Sequence, residues 1–254
     1  MNGSSSNNIT RPLGVLIVLA GIFIFWALAA KLVDKAFLPG PVESLTSLAN
    51  LAKRGTLFIH LGASLSRIFR ALVWGFIPAA ALGLAAGRSS GLNALVSPFI
   101  SIFHPLPKAA FLPVIMLFLG LGEASKVFLL AFIIFSQILV AARDSSARVS
   151  PGYIDSVRSL GASRLGLIRH VIIPGVLPDL FTSLRVSLGT AVAVLFLAET
   201  FAASRGLGYL IIDAWTRIAY PEMYAAILSL SFLGLILFGL VDLAEKLLCP
   251  WNRP

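Results

Sequence analysis

At 254 residues, 58% of them hydrophobic and 12% charged, the chain is far more apolar than a soluble domain, where roughly 45–50% and about 25% are usual; it reads as a polytopic membrane protein with no separate water-soluble unit. The formal charge of +9 rests on 20 Lys and Arg that are scattered and not interleaved with exposed aromatics, which excludes a nucleic-acid surface and leaves membrane orientation and anionic lipid as their use. A single cysteine, Cys249, excludes an internal disulfide framework and a cysteine-based metal site.

In chain order, residues 1–12 open with the polar "MNGSSSNNITR" and read as a cytoplasmic tail. No short apolar core with a small-residue cleavage site follows, so the first apolar segment is expected to be retained. Asn8-Ile9-Thr10 has the form of a glycosylation acceptor, a triplet frequent by chance, and is given no role. Six stretches approach the length of about 20 residues that a spanning helix needs: 13–33, 68–87, 94–119, 125–142, 176–202 and 223–248. The expected fold is an all-α membrane bundle, one domain over 13–248, with 249–254 as a second tail.

Between the first two spans, "PVESLTSLANLAKR" places Leu45, Leu48 and Ala52 on one helical face, which predicts a short amphipathic helix at a membrane surface, capping the bundle or meeting a partner. The third span carries Pro98, Pro105, Pro107 and Pro113, with Lys108 among them. Each proline removes a backbone donor, so this segment is expected to be bent and buried against protein; were 94–106 only interfacial, five spans would remain.

The loop 143–170 holds Arg143, Arg148, Arg158, Arg164 and Arg169, which places it in the cytoplasm and, with an even number of spans, both termini with it. Lys31, Lys35, Lys53 and Arg54 then face outward. Within "SPGYIDSVRSLGASRLGLIRHVIIPGVLP" (150–178), Ser150 and Pro151 start a helix, Ile154, Val157 and Leu160 line one face, and Gly161 can end it in a left-handed conformation. Ser163 caps a second piece with the stripe Leu165, Ile168 and Ile172, and Pro174 is expected to end it. This helix–turn–helix has an apolar face that either the bundle or a partner must cover. Arg158, Arg164 and Arg169 suit a partner bearing carboxylates, or are solvated charges.

Arg185 and Glu199 stand in the fifth span, fourteen residues apart, about 21 Å along a helix, so they cannot pair within it. Ionisable groups in hydrocarbon face a bundle interior or an aqueous cavity. Arg185 is read as a snorkelling or carbonyl-anchoring group or as a contact for an anionic solute, and Glu199 as a stabilising or a gating group. Ser183, Ser187 and Thr190 share their surroundings. In "RGLGYL", Gly206 and Gly208 mark a tight turn or close backbone approach. His60, His104 and His170 are far apart, and neither a zinc-protease nor a phosphate-loop motif occurs; neither metal catalysis nor ATP hydrolysis by this chain is supported. No internal repeat marks an inverted-repeat carrier.

The loop resembles the cytoplasmic coupling loop of permease subunits of ATP-binding-cassette importers, with its pattern E-A-A, three residues, Gly, nine residues, I-x-L-P. Asp155, Ser156 and Val157 stand at the triplet, Gly161 at the glycine, Val171 and Ile173 at the apolar positions and Pro174 at the proline. "FLPGPVESL", "HLGASLSRIFRALVWGF", "FLGLGEASKVFLLAF" and "LAETFAASRGLGYLI" extend the likeness over about 38–246 and resemble the nitrate, sulfonate and taurine branch. The resemblance implies a non-enzymatic transport subunit of the inner membrane, without cofactor or metal. Its expected partners are separate ATPase subunits, an extracytoplasmic solute-binding protein, a second copy of the chain and membrane lipid. Ile154, Asp155, Ser156, Val157, Leu160, Gly161, Arg164 and Pro174 would form the coupling site, with Ile154, Val157 and Leu160 as its docking face. Arg185, Thr190, Glu199, Gly206 and Gly208 would belong to the translocation path or its gate. The competing readings are an ion-coupled secondary carrier and a membrane-embedded lipid-modifying enzyme.

Overall fold

The structure, a computed structural model, describes residues 7–252. Residues 1–6 and 253–254 of the two predicted tails lie outside the described residues, as do the side chains of the Asn8-Ile9-Thr10 triplet. Helix α1 (Asn7–Val33) is followed by the short α2 (Pro41–Lys53), α3 (Thr56–Arg88), α4 (Ser90–Phe103), α5 (Leu112–Leu119) and α6 (Glu123–Arg148). The loop helices α7 (Pro151–Ser159) and α8 (Arg164–Leu167) then lead to α9 (Ile173–Thr200), α10 (Leu207–Thr216) and α11 (Tyr220–Leu248).

The centre of the bundle is the α3–α6 contact. Ala71, Gly75, Ala79, Gly83 and Gly87 recur every fourth residue along α3, and the small stripe lets the two backbones approach closely. A Cβ at Gly75 would stand 2.6 Å from the Ala131 carbonyl oxygen, and one at Gly83 2.5 Å from Ala142 Cβ. Gly83→Leu is therefore expected to destabilise the detergent-solubilised chain by about 1–3 kcal/mol or more. Gly62→Leu, where a Cβ would meet nothing within 4 Å, should leave the thermal midpoint unchanged. Equal midpoints for the two variants would refute the close-packing account.

The same contact fixes the path of the chain. Arg67 meets Glu123 at one end, and Arg88 Nη1 donates to the Ser146 carbonyl at 3.2 Å at the other. Helices α3 and α6 therefore run parallel, and residues 90–119 must return the whole length between them. They do so as α4, a break, a 3-10 turn (Lys108–Phe111) and α5, bent by 84°. Two arms of about 21 and 18 Å at that angle cover about 28 Å, close to the roughly 30 Å hydrocarbon core. The third predicted span thus crosses, and Pro105 and Pro107 sit in its break. The expectation that it is buried is corrected in part: Leu95, Ile102, Leu117 and Phe118 remain exposed on the single chain, because α4 and α5 lie on the outside of α6.

Four described helices are long and apolar enough to cross alone, and the bent pair makes a fifth. The remaining predicted span falls on α1, whose described apolar part is Ile17–Val33. It touches the bundle through Trp26, which stacks on Tyr224 and donates Nε1–H to the Pro39 carbonyl at 3.0 Å. Helices α9 and α11 run antiparallel, with Arg185 meeting Asp242 and Glu245 and Gly189 facing Phe238.

Two local expectations change. Helix α2 buries Pro41, Ser44 and Leu51 and packs Leu48 and Leu51 against α10 and α11, whereas Leu45 is exposed. Its apolar face is rotated from the predicted one because Ser44 spends its hydroxyl on the Gly40 carbonyl and so can be buried. Pro174 does not end the second loop helix. Residues 168–172 widen into a π-helical turn in which the Ile173 N–H reaches the Ile168 carbonyl, which makes room for the proline ring. Residues Arg164–Thr200 then form one continuous helical rod of 37 residues.

Candidate functional site

At the Glu123 end of the bundle, α3 presents His60, Ser64 and Arg67 at i, i+4 and i+7, one face of a helix. Arg67 is 2% exposed and Glu199, near the end of α9, is fully buried. Arg67 Nη1 donates to Glu199 Oε1 at 2.7 Å and to the Arg205 carbonyl at 2.8 Å. Its Nε donates to Glu123 Oε2 at 2.8 Å, and Nη2 closes a bidentate pair with the same carboxylate. Glu199 also accepts from Ser64 Oγ (2.7 Å) and from the Gly208 N–H (2.8 Å). One guanidinium thus ties α3 to α6, to α9 and to the 201–206 loop, and Arg70 Nη2, 3.2 Å from Glu123 Oε2, supplies the second positive charge for the two carboxylates.

The glycines make this packing possible. Gly206 has φ +133°, and a Cβ there would overlap the Glu199 carboxylate and stand 2.6 Å from Arg67 Nη1. A Cβ at Gly208 would stand 2.7 Å from the Phe196 carbonyl oxygen. His60 Nδ1 lies 3.1 Å from both the N–H and the carbonyl of Gly206, and its ring stacks on Tyr209. A second cation secures the same loop: the buried Lys126 ammonium donates to the carbonyls of Leu121, Gly122 and Ala202 at 2.9–3.2 Å. Beyond it, Arg217 bonds Glu222 and Asp213, hydrogen bonds that raise its pKa above the ordinary guanidinium value.

The structure joins Glu199, Gly206 and Gly208 in one cluster and leaves Arg185 and Thr190 elsewhere. Arg185 Nε donates to Asp242 Oδ1 and Nη2 to Glu245 Oε2, both at 2.7 Å. It is neither a carbonyl anchor nor a free cation, but one arm of an α9–α11 clamp at the opposite end. Thr190 is exposed at mid-depth, where it accepts from Gln137 Nε2 at 3.5 Å; Gln137 Oε1 is buried and has no partner.

At the Arg148 end lies the loop. Ser150 Oγ accepts from the Gly152 N–H, Ser163 Oγ from the Gly166 N–H, and Gly161 takes φ +85° between the two helices, the caps and left-handed turn the sequence predicts. The apolar triad is divided. Ile154 is buried and Val157 half-buried against the chain itself, while Leu160 is 85% exposed. Leu160, Tyr153 and Leu165 are the loop's most exposed large apolar side chains, and Tyr153 also lines the cleft beneath the loop. Asp155, Ser156 and Arg164 are exposed as well. Arg148 Nη2 and Ser145 Oγ both donate to Asp179 Oδ2, at 2.7 and 2.6 Å, tying the end of α6 to the rod. A cleft of about 580 Å³ beneath the loop is lined by Arg148, Val157, His170, Pro174 and Trp251 among others.

Sequence reasoning singles out Glu199 but misses its partner Arg67, along with Ser64, Glu123 and Lys126. The available signal was the i, i+4, i+7 spacing of His60, Ser64 and Arg67 at the start of an otherwise apolar helix.

Residues 58–252 match the family described as binding-protein-dependent transport system inner membrane component. The taurine transport system permease protein TauC of Escherichia coli (strain K12) is 33% identical over 253 residues, covering 97% of this chain and 91% of that protein. The putative aliphatic sulfonates transport permease protein SsuC of the same strain is 32% identical, with 91% and 89% covered. Among solved structures, an inward-facing conformation of the MetNI methionine ABC transporter aligns with a TM-score of 0.59 at 18% identity. It covers 76% of this chain and 95% of that one, a likeness of fold.

Proposed function

The chain belongs to the binding-protein-dependent transport system inner membrane component family, and from that membership we propose that it carries a small sulfonate-like anion and works as a lever between its loop and its outer ion cluster. It is a multi-pass inner-membrane subunit of an ATP-driven importer, a transport protein whose ATP is hydrolysed by a separate ATPase subunit and whose solute is brought by a binding protein. The relatives leave the secondary-carrier and lipid-modifying readings without support.

The observation that carries the lever is the course of the two helices flanking the loop. Helix α6 enters the loop at Arg148 and begins at Glu123; the rod leaves the loop at Arg164 and ends beside Glu199. Their far ends therefore supply the two carboxylates that share Arg67. A displacement imposed on the loop by an ATPase subunit reaches both anchors of that guanidinium through unbroken helix, about 55 Å along the rod. The outer loop held by Arg67, Lys126 and His60 would open or close in response. Asp155, Ser156, Gly161 and Leu160 form the surface that the ATPase grips, and Glu199, Gly206 and Gly208 belong to the gate.

The loop and the helix ends around it are rich in arginine. Arg88, Arg143, Arg148, Arg158, Arg164 and Arg169 sit at the Arg148 end. At the other end Arg67 and Lys126 are buried and satisfied within the protein, but Lys53, Arg54, Arg205 and Arg217 are exposed there, so the cytoplasmic placement of the loop rests on its likeness to the coupling loop of the family rather than on charge alone. Both termini then lie in the cytoplasm. Two copies of the chain, each with one loop, would engage two ATPase subunits.

The substrate follows the sulfonate and taurine permeases among the relatives. Liposomes holding the chain with its ATPase subunits and binding protein are expected to accumulate labelled taurine only with ATP. Accumulation driven by an ion gradient without the ATPase, or no uptake of any sulfonate, would overturn the assignment.

A further inference from the structure

Of the cations inside the spanning helices, most are neutralised by acids or wrapped in carbonyls. Arg67 holds Glu123 and Glu199, and Arg185 holds Asp242 and Glu245. Arg143 pairs with Asp144, and Lys126 uses three carbonyls. Lys108 is different. The residue is nine-tenths buried, and its ammonium makes one hydrogen bond, to the His104 carbonyl at 3.0 Å. Its other contact is the Phe132 ring, 5.9 Å to the centroid. No carboxylate is paired with it among the described residues, so two of its three N–H donors have no protein acceptor.

Its position is as telling. Phe132 stands nine residues into α6 from Glu123, about 13 Å from that end and so near the middle of a roughly 30 Å core. A charged group at that depth is costly unless it serves a pathway. Lys108 also sits at the 84° break of the only bent crossing among the described residues, and the tip of that break, His104, Pro105 and Pro107, is exposed on the chain.

We propose that Lys108 is the midway contact for the anionic group of the solute, a single point charge that receives a sulfonate-like oxyanion and releases it. A lysine suits transit, since its ammonium gives no bidentate grip of the kind a guanidinium offers and releases more readily. This rests on the transport reading above and adds to it the residue that touches the solute.

The test uses the assembled importer in liposomes, free of other cysteines, with Cys249→Ser as parent and Lys108→Cys introduced into it. Labelled taurine is the probe. Lys108→Cys is expected to lower uptake about tenfold or more while the ATPase stays bound and hydrolysing. Attaching an aminoethyl group through a disulfide replaces the ammonium and should restore uptake several-fold; attaching a sulfonatoethyl group should not. Uptake within about twofold of the parent, recovery with both reagents, or recovery with neither would overturn the proposal. If Lys108→Cys does not assemble, Lys108→Arg and Lys108→Gln decide: more uptake with Arg, which keeps the charge though it releases more slowly, than with Gln supports it, and equal uptake in the two refutes it. A parent that imports no taurine counts against the sulfonate reading, whereas a parent and a Lys108→Cys importer of equal activity count against Lys108 alone.

Discussion

Replacing Arg67 with methionine is expected to be among the most damaging single changes in the chain, costing about 3–5 kcal/mol, because it leaves a carboxylate buried without its counter-charge. Glu199 has no exposure to water, and after the change only Ser64 Oγ and the Gly208 N–H would still donate to it. Glu123, half exposed, loses its bidentate partner but can be hydrated. The Arg205 carbonyl loses its donor too, so the loop between α9 and α10 is left to its Lys126 and His60 ties. Adding Glu199→Gln to Arg67→Met removes the uncompensated charge, and the double variant should be more stable than Arg67→Met alone. The measurement is a double-mutant cycle on thermal unfolding in detergent micelles, with ATP-driven uptake followed in parallel. Strictly additive losses would mean that the two groups are not coupled and that the cluster is no lock.

The elements that could be read in advance are those whose signal is local. Ser150, Ser163 and Gly161 carry their caps and turn within a few residues, and the structure shows each bond. Gly206 and Gly208 announced a close approach by lacking a side chain, and the atoms they approach are those of Glu199 and Phe196. What could not be read is non-local or cooperative. Arg67 and Glu199 are 132 residues apart in sequence, and nothing near either names the other. Arg185 likewise finds its acids on α11, 57 and 60 residues on. The face of α2 is decided by a serine that satisfies itself and goes inside, and Pro174 is absorbed by a π-turn that no simple periodicity predicts. The division of Ile154 from Leu160 has the same origin. Helical spacing gives the stripe, but the bundle chooses which part of it to cover.

That division separates docking from folding in one experiment. Leu160→Asp is expected to weaken the hold of the ATPase subunit about tenfold or more, the loss of an apolar anchor from a desolvated contact, while leaving the thermal midpoint of the isolated chain unchanged, since Leu160 is 85% exposed. Ile154→Asp should do the reverse. It buries a carboxylate against the chain's own core, lowers the midpoint, and weakens the ATPase only as far as the loop unfolds. Gly161 lies between the two effects: an alanine there keeps the N–H that donates to the Arg158 carbonyl at 2.9 Å, but is strained at φ +85° by about 1–2 kcal/mol. Co-purification from detergent with a tagged ATPase subunit reads the docking, and a melting curve of the free chain reads the fold. If Leu160→Asp retains the ATPase at wild-type affinity, the exposed apolar end of this loop helix is not the gripped surface. The rod from Arg164 to Thr200 would then have nothing to pull it, and the link from loop to outer cluster would lose its driving end.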